Sequence, residues 1–118
     1  MRLRAVGALN CQTEEKLIMV KLAILARLVA KAGKEEEVAA FLSSALPLAE
    51  KEPATIVWFA LRLSKSEFGI FDAFPDEAGR SAHLNGPIAA ALMAKAGDLL
   101  AEPPKIEKVD LLAAKLSK

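Results

Sequence analysis

Tyrosine is absent from this chain, and cysteine, histidine and tryptophan occur once each. A lone Cys11 excludes an internal disulfide framework and leaves no CxxC pair, which fits a reducing compartment and places the protein in the cytoplasm. With one His and no HExxH, CxxC or GxGxxG, the sequence predicts no bound metal, haem or flavin. Long hydrophobic runs are also missing, since no stretch reaches the roughly 20 apolar residues that span a bilayer. Nor is there an excess of charge: 16 Lys and Arg face 15 Asp and Glu, for a formal charge of +1. These charges are scattered, so no basic stripe exists to release phosphate counterions, and neither nucleic acid nor a membrane surface is an expected partner.

What the chain does have is apolar content. Of its 118 residues 53% are hydrophobic, and the mean hydropathy is +0.28. A domain this small buries only about two-thirds of its unfolded surface, so the excess implies a partner subunit, most simply a second copy. Arg2 and Arg4 followed by "AVGAL" imitate a signal peptide, but five apolar residues fall short of the roughly 7 to 15 of a hydrophobic region, so secretion is not predicted. We read residues 1–18 as an N-terminal extension, a tail or a docked helical arm, and residues 19–118 as one domain.

Within that domain the elements alternate. Val20 to Ala30 places Lys21 and Arg27 on one parity and Leu22, Ile24, Ala26 and Leu28 on the other, which predicts a strand. Glu35 to Glu50 carries apolar residues at helical spacing behind three glutamates that suit the positive end of a helix dipole, with Pro47 expected to kink the last turn. Thr55 to Leu63 and Glu67 to Phe74 read as strands joined by "SKS", short enough for a hairpin. Pro75, Asp76 and Glu77 open a helix to Leu84, Pro87 opens another to about Leu100, and Lys105 to Lys115 reads as a last strand. The order βαββαβ is the ferredoxin-like α+β arrangement, an antiparallel sheet with helices on one face. "TIVWFALRL" and "FGIFDAF" are apolar on both parities, so both sheet faces are expected to be covered, the second by the sheet of an identical subunit.

The segment "WFALRLSKSEFGIFDAFPDEAGRSAHLNG", with "LAILARLVAKAGKEEEVAAFL" before it, resembles the antibiotic biosynthesis monooxygenase family over roughly Met19 to Lys115. The resemblance implies a homodimeric α/β barrel with an apolar pocket between sheet and helices in each subunit. It also implies oxygenation of a quinol-like or polyketide-like aromatic without metal or flavin, the deprotonated substrate itself passing an electron to oxygen. The protein's part is then to bind, desolvate and stabilise the substrate anion. His83 is the candidate base, the only group whose ordinary pKa lies near neutrality, on the helix where the family places a pocket-facing histidine; the alternative is a histidine paired within a packing layer. Trp58 and Phe71, with Phe59 and Phe74, either line the pocket or fill the core. Asp72 interrupts an apolar strand and either orients His83 or Arg62 or lies at a sheet edge. Arg62, like Arg27 and Arg80, offers a guanidinium to a substrate carboxylate or phenolate, or serves an ordinary ion pair.

Departures from the family pattern narrow this. Lack of tyrosine rules out a phenol donor, and the Asn, Trp and His of the haem-degrading branch fall on Ala26, His83 and Met93, so haem breakdown is not expected. Two function classes follow: an oxygenase of small aromatics, and a non-catalytic dimeric domain that binds a small apolar ligand or protects against stress. A large closed cavity reached by His83 favours the first, and a filled, dry core the second.

Overall fold

The computed structural model describes residues 20–116; the expected extension over 1–18 lies outside them. Alternation builds the first strand, β1 (Leu22–Val29), with Ile24, Ala26 and Leu28 buried and Arg27 exposed on the opposite face. The helix expected over 35–50 divides into α1 (Glu35–Ser44) and α2 (Leu46–Glu50). Pro47 is the cause: it has no N–H to donate and crowds the residue before it, yet suits the first turn of a new helix. β2 (Val57–Arg62) and β3 (Glu67–Phe74) form the hairpin, closed by a Leu63 N–H to Glu67 carbonyl bond of 2.8 Å. α3 (Glu77–Leu84) starts where the Asp76 side chain accepts from the Gly79 N–H at 2.9 Å, and α4 (Pro87–Leu99) has its proline in the first turn.

β4 (Lys105–Asp110) ends five residues before the expected Lys115. Its partner sets the limit: Asp110 pairs with Leu22 at the start of β1, Leu111 donates once more to the Lys21 carbonyl, and Leu112 is then fully out in solvent. The sheet runs β2-β3-β1-β4 with every neighbouring pair antiparallel, so the ferredoxin-like α+β fold expected from the element order is the one observed.

One face of the sheet carries the core. Ala26, Leu28, Phe68 and Ile70 pack beneath Val38 and Leu42 of α1 and Leu92 and Leu99 of α4, and a smaller cluster joins Ala45, Ala49 and Ile88 to Trp58. The other face is partly covered at one end, where Leu111 and Leu116 lie against Ala23 and Ala73. Further along, Leu25, Leu61 and Phe71 are only half-buried and Phe59 is 55% exposed. Among the described residues no helix is long and apolar enough to cross a membrane.

Buried and exposed leucines differ in what they contribute to stability. Leu28, 1% exposed at the centre of the main cluster, leaves a cavity when truncated, so Leu28→Ala should lower unfolding free energy by about 2 to 5 kcal/mol in urea titration. Leu112→Ala, at a position 98% exposed, should stay within about 0.5 kcal/mol of wild type.

Candidate functional site

Asp72 lies on the helix-facing side of β3, in register with Ile24 on one neighbour and Trp58 on the other. A carboxylate in that layer needs a donor, and α3 supplies one: His83 Nε2 stands 2.8 Å from Asp72 Oδ2. The other ring nitrogen, Nδ1, stands 2.7 Å from Oε1 of Glu52, which sits in the connection between α2 and β2. Thr55 donates its hydroxyl to the same Glu52 oxygen at 2.7 Å. Phe74 packs on the imidazole at 5.4 Å between ring centres.

A neutral imidazole donates from one nitrogen only, so two carboxylate partners are both satisfied only by imidazolium. Burial works against that charge, and the hydrogen bonds to Asp72 and Glu52, with the charges of both carboxylates behind them, more than offset it. The net pKa of His83 is raised above its ordinary 6.5. Three buried polar atoms around this group have no partner among the described residues: Glu52 Oε2, Asp72 Oδ1 and the indole Nε1 of Trp58. The two carboxylates hold opposite edges of one ring and do not converge on a common centre, and among the described residues no cluster of three His, Cys, Asp or Glu groups is placed to hold a metal ion.

The residues singled out from the sequence separate into those that meet and those that do not. Asp72 and His83 meet, and Trp58 lies across from Asp72 on the same face. Phe71 does not: its side chain is on the opposite, open face, one residue out of phase with Asp72. Arg62 does not either. It lies four residues beyond Trp58, roughly 13 Å along the strand, where it pairs with Glu36 at 3.0 Å, donates to the Lys65 carbonyl and covers the Phe68 ring. Phe59 is on the open face as well, and Met93 is 61% exposed on α4. Arg80 is a buried strand clamp, donating to the carbonyls of Ala23 in β1 and Val109 in β4 and held by Glu77. The Arg80 guanidinium in turn keeps the Glu77 carboxyl below the ordinary carboxylate range, with help from the Ser81 hydroxyl.

Sequence reasoning missed Glu52 and Thr55. Glu52 belongs to the polar run "EKEPAT", with no periodicity, and reaches His83 only because the chain turns back at Thr55, whose N–H bonds the Glu52 carbonyl at 3.2 Å. A glutamate before a proline with a threonine three residues on was the one available signal.

Trp58, Ile88 and their neighbours pack the layer between sheet and helices beside Asp72, and further along it an open groove of about 180 Å³ lies between Ala39 and Leu42 of α1 and Ala60, Arg62 and Phe68 of the sheet. Space near His83 lies instead on its outer side: an open cleft of about 230 Å³ lined by Glu52, Pro53, Ala54, Gly79, His83 and Gly86, among others.

No protein-family model and no curated protein matches the chain. Among solved structures, a protein of unknown function from Nitrosomonas europaea is 64% identical, with a TM-score of 0.83 over 85% of this chain and 97% of that one. At that identity and coverage the two chains belong to one family. A second Nitrosomonas europaea structure, named "Putative antibiotic biosynthesis monooxygenase", matches at 17% identity and TM-score 0.70, over 78% of this chain and 90% of that one. A Chloroflexus aurantiacus structure of the same name matches at 13% and 0.63, over 80% and 96%. These last two share the fold.

The raised His83 pKa sets a pH dependence of stability. A group whose folded pKa lies above its unfolded value stabilises fully below the unfolded value, here about 6.5, and loses that contribution as pH climbs through the folded one. The thermal midpoint in a melting series should therefore fall as pH climbs above about 6.5. His83→Gln should flatten this slope.

Proposed function

We propose that this chain, one family with the Nitrosomonas europaea protein of unknown function, is a cofactor-independent monooxygenase of small phenolic aromatics, quinol-like or polyketide-like. The observation that carries the reading is the Asp72–His83 pair, desolvated and beside a mostly apolar cleft. Asp72 accepts from Nε2 and fixes the ring; in its neutral form the ring presents Nδ1, the nitrogen beside Glu52, as the atom that takes a substrate's acidic proton. Removal of that proton turns an electron-rich phenol or anthrone into an anion able to pass an electron to oxygen. For an anthrone, the methylene gives up both hydrogens, one oxygen atom becomes the new carbonyl and the other leaves as water. The substrate supplies every electron, so no reductant is needed. Support for this class also comes from the shared fold of the two structures named for monooxygenases.

A specific observation favours a second reading. Where the resemblance puts a pocket, side chains of Trp58, Ile88 and their neighbours pack the layer beside Asp72, which suits a domain that binds a small apolar ligand without oxidising it. Oxygen consumption separates the two. Wild type should take up oxygen with at least one member of a panel of quinols and anthrones, and His83→Ala should lower turnover by about a hundredfold or more, the usual worth of general base assistance. Uptake unchanged in the mutant makes His83 structural; no uptake with any member makes ligand binding the better reading.

The working unit in this reading is a homodimer closed through the open sheet face. Leu25, Leu61, Phe71 and the exposed Phe59 form an apolar surface, and a second sheet is the partner of matching shape. Sedimentation equilibrium at micromolar concentration should give twice 12.6 kDa, and Phe59→Glu should shift it toward the single-chain mass. A wild-type chain that sediments as a monomer removes the dimer.

A further inference from the structure

The cleft-side nitrogen of His83 is already taken. Glu52 Oε1 stands 2.7 Å from Nδ1, the distance at which an acidic oxygen of a bound ligand has to stand to exchange a proton with that nitrogen. Resting on the reading of His83 as the site's base, we propose that Glu52 is a built-in occupant of the acid-oxygen subsite, and that a small aromatic phenolate or carboxylate binds by displacing it into the cleft.

Glu52 is suited to leave. It is the least buried of the three charged groups, its side chain 17% exposed against 8% for His83 and 2% for Asp72. It belongs to the connection between α2 and β2, not to a helix or strand. Its Oε2 has no partner among the described residues. The Thr55 hydroxyl that holds Oε1 belongs to the same short turn and moves with it, so among the described residues the bond to His83 is the one side-chain bond from Glu52 to another part of the chain. The connection is laid closely on α3: a Cβ at Gly79 would stand 3.0 Å from the Ala54 Cβ, so glycine there is what lets the segment close. Beyond it the 230 Å³ cleft offers room for one or two aromatic rings.

Charge favours the exchange. With Glu52 in place, two carboxylates and one imidazolium sum to minus one and repel an anion. Once Glu52 has swung out, Asp72 and His83⁺ cancel, and an incoming anion restores the arrangement Glu52 had. Such a closed form lowers apparent affinity by the fraction of time it is populated, and a variant without the side chain should bind more tightly.

The test reads binding in the absence of oxygen, with 2-naphthoate as the probe. Its dissociation constant for Glu52→Ala should be about tenfold or more below that for wild type, with the His83 Cε1–H resonance moving on saturation and the gain lost in Glu52→Ala combined with His83→Ala. Should Glu52→Ala not fold by thermal unfolding, Glu52→Gln, which keeps the shape and removes the charge, is read in the same way. Equal or weaker binding by the folded variant overturns the proposal and makes Glu52 a fixed part of the site. Because no oxygen enters this assay, its failure and the failure of the oxygenase reading are told apart.

Discussion

The hold of His83 on two carboxylates is the contact on which the arrangement of this domain turns. It joins three pieces of chain that share no hydrogen-bonded ladder: a central strand through Asp72, a helix through His83 and the connection ahead of β2 through Glu52. Each carboxylate is buried enough to need the ring between them. A lone carboxylate at Asp72, 1% exposed, would be prohibitive, and removal of one member of such a group commonly costs about 3 to 5 kcal/mol because a charge is left behind. The surroundings follow from it. Gly79 lets the connection approach α3, Phe74 forms the wall beside the ring, and Asp76 caps the helix that carries the histidine.

A packing role alone does not account for this composition. One carboxylate suffices to satisfy a buried histidine, and Asp72 already does so. The second adds a negative charge and a buried oxygen, Glu52 Oε2, which like Asp72 Oδ1 and the Trp58 indole N–H has no partner among the described residues. Polar groups left in that state lower stability. Surplus acceptors gathered at one histidine, beside the space that adjoins it, are what a site for a proton-bearing ligand requires.

Most of the fold was legible in the chain because its signals were local. Parity in β1, the acidic start of α1, "SKS" between two apolar runs and the Pro-Asp-Glu helix start each act within a few residues, and their order fixes the topology. The two misjudged boundaries depend on something further away. Pro47 breaks its helix outright because a new turn can begin at Leu46, and β4 stops where β1 offers it no more partners. At the site, Asp72 stood out as a charge in an apolar strand and His83 as the single near-neutral base, so their meeting could be anticipated. Phe71 and Asp72 are adjacent in sequence, so their side chains point to opposite faces, and no choice of register puts both beside His83. Arg62 shares a face with Asp72 but not a position along it. Glu52 carried no periodic signal, since its place depends on a turn in a polar connection.

The same reasoning bears on where a substrate can meet His83. Asp72 approaches the ring from the sheet, and the layer beside it is closed by Trp58, Ile88 and their neighbours. A ligand arriving from that side would have to displace core side chains, each worth roughly 1.5 to 3 kcal/mol in burial. From the outer side it meets a single glutamate on a connection between elements, held across to α3 by one charge-assisted side-chain bond of the kind usually worth about 1.5 to 3 kcal/mol. That exchange returns a bond of the same kind, because the ligand's own acidic oxygen takes the vacated position on Nδ1. On the proposed reading, the balance of magnitudes favours entry at the Glu52 connection and leaves the packed layer to hold Asp72 and His83 in register.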